Sequence, residues 1–153
     1  MAFLILGLVI FLGTHSVRIF AGDWRAAQIA RLGENGWKGV YSLVSAAGLG
    51  LIIWGYGMAR AETLVLWAPP TALRHLAAGL VLPAFVLVVA AYLPGTRIKA
   101  KIGHPMVAGV KLWALAHLMA NGSLADITLF GAFLAWARQE DLHTSHGVKL
   151  LAV

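Results

Sequence analysis

The sequence of 153 residues contains no cysteine, and charged side chains are also sparse. Without cysteine the chain has no disulfide framework, no thiolate nucleophile and no sulfur-ligated metal site. Only 12% of the residues are charged, with twelve basic against six acidic side chains. The basic residues are scattered between hydrophobic blocks and form no cluster, so the net charge of +6 does not indicate a nucleic-acid partner.

Hydrophobic residues, by contrast, are abundant. They make up 60% of the chain, whereas soluble domains contain roughly 45–50% apolar residues. A single domain of this length could not bury so many apolar side chains in a globular core. The lipid bilayer is therefore the expected partner, and the composition predicts an all-α fold, a polytopic transmembrane helical bundle.

Five hydrophobic blocks define this predicted bundle. They are residues 2–20, 40–59, about 75–93, 105–120 and 124–137. A transmembrane helix needs about 20 residues, so the first three blocks are long enough, while the last two are short spans or a hairpin. We expect one transmembrane domain at residues 1–137, followed by a short cytoplasmic tail at residues 138–153.

The distribution of basic residues predicts the orientation. Most of them lie at the end of the first block, in the segment that follows it, or in the segment that follows the third block: Arg18, Arg25, Arg31, Lys38, Arg97, Lys99 and Lys101. Cytoplasmic loops of membrane proteins are enriched in lysine and arginine, so the N-terminus is expected outside and the C-terminus in the cytoplasm. The segment after the first block also contains two tryptophans, which is typical of an interfacial segment.

Two short patterns predict how helices meet and begin. Ser42, Ala46 and Gly50 recur at four-residue spacing, and such a ridge of small residues lets another backbone approach closely. Ser123 and Asp126 have the spacing of a capping box at the start of the fifth block. This capping role accounts for Asp126 better than a catalytic role does.

Ionisable residues inside hydrophobic blocks are rare and are candidates for functional sites. Lys111 lies near one end of the fourth block and is expected to extend to the membrane surface. His104 precedes Pro105 at the start of that block, where an interfacial cap and a ligand role are both open. His15 lies about 8 Å from the end of its helix, and His117 follows Trp113 by one helical turn.

A neutral imidazole in hydrocarbon requires a partner. His15 and His117, from different helices, suit either axial ligation of haem iron or interhelical hydrogen bonds, each worth about 0.6 kcal/mol. His104 and His117 are thirteen residues apart on one helix, about 20 Å and roughly 140° of rotation. These two histidines cannot both reach one small cofactor.

Several longer stretches carry a family resemblance. They are GENGWKGVYSLVSAAGLGLIIWGY, LWAPPTALRHLA and AYLPGTRIKAKIGHPMVAGVKLWALAHLMANGSLADITLFGAFLAWA, together with Thr14-His15 and Arg18. With these motifs the chain resembles the NnrU family of bacterial membrane proteins over nearly all of residues 1–137. The resemblance implies a location in the bacterial inner membrane and an association with denitrification, in particular with nitrite and nitric oxide reduction.

The NnrU family is also similar to plant zeta-carotene isomerase, a membrane enzyme that contains b-type haem. Carried onto this sequence, that similarity implies haem b ligated by His15 and His117, with His104 as a nearby functional histidine. The helix face around Trp113 would line the pocket. An apolar substrate dissolved in the membrane would enter from the lipid.

Three functions therefore remain open from the sequence. The first is a haem-containing membrane protein that supports nitrogen-oxide metabolism, with isomerase-like or redox chemistry. The second is an accessory or assembly subunit of a nitrogen-oxide reductase, docked through the small-residue ridge and without catalytic activity. The third is a membrane methyltransferase of the isoprenylcysteine type, suggested by His104-Pro105 with Gly109 four residues later.

Overall fold

A computed structural model describes residues 1–62 and 64–150, with side chains described up to residue 143. Six helices follow one another along the chain: α1 (Ala2–Phe20), α2 (Gly22–Ala61), α3 (Thr71–Tyr92), α4 (Arg97–Ile102), α5 (Pro105–Ala120) and α6 (Leu124–Leu150). The described ranges contain no β-strand beyond one isolated bridge between Val65 and Ser123. The predicted all-α fold is confirmed.

Three of the described helices, α1, α2 and α3, are long and apolar enough to cross a membrane. These are the three hydrophobic blocks that the sequence predicted to be long enough. The helix α5, with 16 residues, is apolar but shorter. Large hydrophobic side chains such as Leu43, Ile53 and Leu82 are more than 60% exposed, as expected for helices whose outer faces contact lipid.

The chain divides into two compact units, Met1–Glu62 (unit 1) and Thr63–Val153 (unit 2). Unit 1 contains α1 and α2, and unit 2 contains α3 to α6. The helix α6 continues past residue 137 to Leu150, so no helix end marks the predicted boundary between the transmembrane domain and the tail.

Unit 1 is an antiparallel helical hairpin held together at glycines. An added Cβ at Gly55 would lie 2.6 Å from the carbonyl carbon of Phe3, and one at Gly48 would lie 2.9 Å from the backbone nitrogen of Phe11. Small residues permit such close backbone approach, which increases van der Waals contact between membrane helices. The side chains of Leu4 and Leu8 fill the remaining space and are buried.

This packing corrects the predicted ridge. Ser42, Ala46 and Gly50 are exposed, and an added Cβ at Gly50 would meet nothing within 4 Å. The face of α2 that contacts α1 instead carries Gly48 and Gly55. Both faces contain small residues at regular helical spacing, so spacing alone did not identify the face that packs.

The predicted interfacial segment forms the first part of α2. A break in helical geometry at Gly33, where φ is +73° and ψ is 165°, separates it from the apolar part of the same helix. Glycine adopts positive φ without the steric cost that a Cβ imposes. Trp24, from the first part, packs edge-on against Trp37, with ring centroids 5.8 Å apart.

Unit 2 is built around α5, which packs against both α3 and α6. Gly109 brings α5 close to α3, since an added Cβ there would lie 2.9 Å from the carbonyl oxygen of Ala84. The helix α6 runs back along α5 after a tight turn, and with 27 residues it is longer than the predicted fifth block. Whether these two helices are spans or a re-entrant hairpin stays a prediction. Lys111 of α5 lies 2.6 Å from the carboxylate of Asp141 on α6. Lys111 therefore forms an ion pair within unit 2, and its position at the membrane surface stays a prediction.

The capping box at the start of α6 is confirmed. The hydroxyl of Ser123 accepts a hydrogen bond from the backbone N–H of Asp126 at 3.2 Å, and the Asp126 carboxylate accepts one from the backbone N–H of Ser123 at 3.3 Å. Reciprocal bonds of this kind satisfy two donors that the first turn of a helix leaves unpaired. Both residues are buried.

An extended segment at residues 64–67 packs on the turn between α5 and α6. The backbone N–H of Leu66 donates to the carbonyl oxygen of Gly122 at 2.8 Å, and that of Leu124 donates to the carbonyl oxygen of Leu64 at 2.8 Å. These bonds fix the end of α5 at which His117 lies.

Candidate functional site

His15 lies in the last two turns of α1, between Thr14 and Ser16. Each of the three side chains hydrogen-bonds to the backbone carbonyl four residues earlier in the same helix, at 2.6 to 2.7 Å. Such bonds satisfy polar groups in a setting that offers no water. The helix α1 therefore accommodates three consecutive polar residues close to its end.

The hydrogen bond of His15 determines which tautomer the imidazole adopts. Its Nδ1 lies 2.7 Å from the carbonyl oxygen of Phe11, and a carbonyl oxygen only accepts hydrogen bonds. Nδ1 therefore carries the proton of this hydrogen bond, and Nε2 is the other ring nitrogen. Metal-ligating histidines commonly donate one ring N–H to a backbone carbonyl in this way, which orients the ring and raises the basicity of the other nitrogen.

Aromatic rings surround His15 within unit 1. The imidazole packs against Phe11, with ring centroids 4.3 Å apart, and lies edge-on to Tyr41 of α2 at 5.5 Å. Tyr41 in turn contacts Trp37, one helical turn away, at 6.4 Å. Sequence analysis did not identify these neighbours, although the four-residue spacing of Trp37 and Tyr41 places them on one face of α2.

His117 lies in the last turn of α5, within unit 2. Its imidazole stacks on the ring of Phe130 from α6, with centroids 4.4 Å apart and planes inclined by 7°. Trp113 lies edge-on to His117 at 5.2 Å and also contacts Phe133 at 5.6 Å. We call these four side chains, His117, Trp113, Phe130 and Phe133, the aromatic box.

The backbone at His117 is also fixed. Asn121 donates two hydrogen bonds to the His117 carbonyl oxygen, from its backbone N–H at 2.9 Å and from its side-chain amide at 3.0 Å. The end of α5 is thereby capped, and the aromatic contacts hold the ring. Among the residues that the structure describes, none hydrogen-bonds to the ring nitrogens of His117. These nitrogens have the chemistry that a metal ligand requires.

Trp113 also borders a second feature of unit 2, an apolar cavity of about 140 Å³ between α3 and α5. The other lining residues are Ala84, Phe85, Val88 and Val110. No charged or hydrogen-bonding side chain other than the indole contributes to its wall. Trp113 therefore borders both His117 and this apolar cavity, and its role in binding a cofactor stays a prediction.

His104 is separate from the aromatic box. It is exposed and forms the N-cap of α5, without a side-chain capping bond. His117 lies at the other end of the same helix, as the thirteen-residue separation predicted. No group of three or more metal-ligating side chains occurs within the described ranges of the chain.

The comparisons with known proteins identify the family. The sequence profile described as NnrU protein matches residues 3–146. The chain belongs to the NnrU family. This match covers both His15 and His117, both units and the predicted domain boundary at residue 137. No curated protein and no solved structure matches the chain.

Membership of the NnrU family, together with the three long apolar helices, makes this chain a membrane protein. The family match begins in the first helix and reaches into α6. The family resemblance predicted from the sequence motifs is confirmed.

Proposed function

We propose that this NnrU protein binds haem b, with His15 and His117 as the two axial ligands, and that it supports nitrogen-oxide reduction at the bacterial inner membrane. One observation carries the proposal: the Nδ1 of His15 donates to the Phe11 carbonyl oxygen, which presents Nε2 as an iron ligand. Helical bundles in membranes and in water commonly hold haem in this way.

The residues around each histidine fit haem b. Haem is a flat and largely apolar ring, and it packs well against aromatic side chains. Phe11 and Tyr41 supply such surfaces beside His15, and Trp113 and Phe130 supply them beside His117. The cavity of about 140 Å³ in unit 2 is smaller than the roughly 300 Å³ or more typical of cofactor sites, so it does not itself contain the porphyrin.

Bound haem would supply a one-electron couple, or a Lewis acid whose strength depends on its redox state. The chain's own residues determine which of these two roles a bound haem would take. Both imidazoles are held in a fixed orientation, His15 by its backbone hydrogen bond and His117 by the stacked ring of Phe130. The apolar surroundings would limit the access of water to a bound haem and so would influence its redox potential.

The cavity beside Trp113 suits an apolar substrate dissolved in the membrane. An engineered apolar cavity of about 150 Å³ binds benzene, so a volume of about 140 Å³ accepts an apolar group of that size. Phe85, which lines the cavity, is 57% exposed, and this opening gives access from the lipid side. Isomerase-like chemistry on such a substrate is one use of the haem, and electron transfer to a reductase component is the other.

The orientation belongs to the same proposal. The N-terminus lies outside and the C-terminus in the cytoplasm, because most of the arginine and lysine residues lie at the end of α1, in the segment that follows it, or in the segment that follows α3. Partners that reduce nitrite or nitric oxide would meet the chain in the same membrane.

An absorption spectrum of the purified chain from haem-replete cells tests the proposal. Wild-type protein is expected to show a Soret band with close to one haem per chain by pyridine haemochromogen assay. His15→Ala and His117→Ala each remove one axial ligand and are expected to lower the haem content at least tenfold.

His104→Ala and His75→Ala serve as matched controls, because both replace exposed histidines outside the two aromatic surroundings. They are expected to keep the wild-type haem content. Far-UV circular dichroism confirms that all four variants remain helical. A colourless wild-type protein, or equal haem content in all four variants, would overturn the proposal.

A further inference from the structure

The short helix α4 combines three exposed basic side chains with an apolar face. Arg97, Lys99 and Lys101 are exposed, whereas Ile98 and Ile102 lie four residues apart and so share one side of the helix. At about 100° per residue, Arg97 and Lys101 lie on one side of the isoleucines and Lys99 on the other. This arrangement is typical of a helix that lies in the membrane interface.

The position of α4 in unit 2 places it at the end of an apolar helix. Only four residues separate it from α3, which is long and apolar enough to span a membrane. Glycines with φ of +73° stand on both sides of α4, at positions 95 and 103, and Thr96 caps it by accepting a hydrogen bond from Lys99. The turns on both sides therefore fix the direction of α4.

Within the part of the chain that the structure describes, no carboxylate forms an ion pair with these three basic side chains. Residues 63–125 contain no aspartate or glutamate. Among the described residues, Asp141 pairs with Lys111 and Glu34 pairs with Lys38. Three exposed positive charges on one short helix are therefore available to an anion from outside the chain.

We infer that α4 binds the anionic headgroups of phospholipids, with its isoleucines in the acyl boundary and its basic side chains on the lipid phosphates. Ile102 is 45% exposed, which a helix in contact only with water would not favour. Juxtamembrane lysine and arginine residues each contribute about 1 kcal/mol to binding an anionic surface. The lipid headgroup, and not free phosphate, satisfies both the charge and the apolar face.

Native mass spectrometry of the full chain tests this inference. The protein is delipidated in neutral detergent and titrated with phosphatidylglycerol or phosphatidylcholine. Wild-type protein is expected to retain phosphatidylglycerol preferentially. The triple variant R97Q/K99Q/K101Q is expected to weaken that retention on the order of 10- to 100-fold, with little effect on phosphatidylcholine.

A matched variant, K38Q/R60Q/R74Q, removes the same number of positive charges outside α4. Lys38 is paired with Glu34 and Arg60 lies over the Tyr56 ring, so phosphatidylglycerol retention is expected to stay within about twofold of wild type. Arg97→Lys keeps the charge and is expected to bind as wild type does. If the triple variant loses its helicity, the single variants K99Q and K101Q are compared with wild type instead. Each is expected to show an intermediate loss of phosphatidylglycerol retention.

Three outcomes would overturn the inference. One is equal retention of the two lipids by wild-type protein. Another is an equal loss of phosphatidylglycerol in the α4 variant and in the matched variant, which would indicate net charge alone. The third is displacement of phosphatidylglycerol by inorganic phosphate at equal concentration, which would indicate a site for free phosphate.

Discussion

Gly55→Ala is expected to destabilise unit 1 by about 3 kcal/mol. An added Cβ would contact the backbone nitrogen of Leu4, and would lie 2.6 Å from the carbonyl carbon of Phe3 and 2.8 Å from the Cα of Leu4. These are backbone atoms of α1, so no rotamer change relieves the contact. The two helices must separate along their length, and the van der Waals contact that holds the hairpin is lost.

Unfolding in mixed micelles with increasing dodecyl sulfate, followed by tryptophan fluorescence, measures this effect. Gly57→Ala is the matched control, because it lies one half-turn further along α2 and its added Cβ meets nothing within 4 Å. That variant is expected to stay within about 1 kcal/mol of wild type. Equal stability of the two variants would contradict the packing of α1 on α2.

Gly122→Ala is expected to have a comparable effect on unit 2. Its Cβ would contact the carbonyl oxygen of Trp67 and would lie 2.6 Å from Cδ1 of the same indole. The segment at residues 64–67 must then move away from the turn between α5 and α6. The hydrogen bond from Leu66 to Gly122 is lost with it, and unpaired backbone groups in an apolar setting each cost several kcal/mol.

Thermal unfolding of the purified variants, with Trp67 as one of the fluorescent reporters, provides the measurement. Gly131→Ala, on α6, is the matched control, since an added Cβ there meets nothing within 4 Å. The expected result is a marked fall in the unfolding temperature for Gly122→Ala and little change for Gly131→Ala. A Gly122→Ala protein as stable as the control would show that the extended segment does not pack on this turn.

The outline of the fold followed from the sequence because it depends on local patterns. Apolar blocks of about 20 residues predicted α1 and α3 with nearly correct limits, and the start of α5 at Pro105 agrees with the preference of proline for the first helical turn. The capping box of Ser123 and Asp126 was also predictable, because its two residues are only three positions apart. Each of these features is determined by residues within one or two helical turns.

Features that depend on distant residues were not predicted. The ridge of Ser42, Ala46 and Gly50 has the same spacing as a packed face, yet α1 packs on the glycines of a neighbouring face, and only the partner helix decides between them. The pairing of Lys111 with Asp141 joins residues thirty positions apart. The basic segment after α3 was expected to be a loop, but capping by Thr96 makes it helical.

The candidate site was predicted in part for the same reason. Trp113 and His117 were placed on one helix face by their spacing, and their rings do contact each other. Phe130 stacks on His117 but lies on another helix, so residue spacing did not predict this contact. The hydrogen bond of His15 to Phe11 is local but depends on the rotamer, which spacing does not determine.

Electron paramagnetic resonance of the oxidised, haem-loaded protein tests the central claim most directly, because it reports the axial ligands of the iron. If His15 and His117 both bind the iron, wild-type protein gives a low-spin ferric signal of the bis-imidazole type. His15→Ala or His117→Ala then converts any haem that remains to a high-spin signal. A high-spin wild-type protein, or a low-spin signal unchanged in both variants, would contradict the assignment of these two histidines.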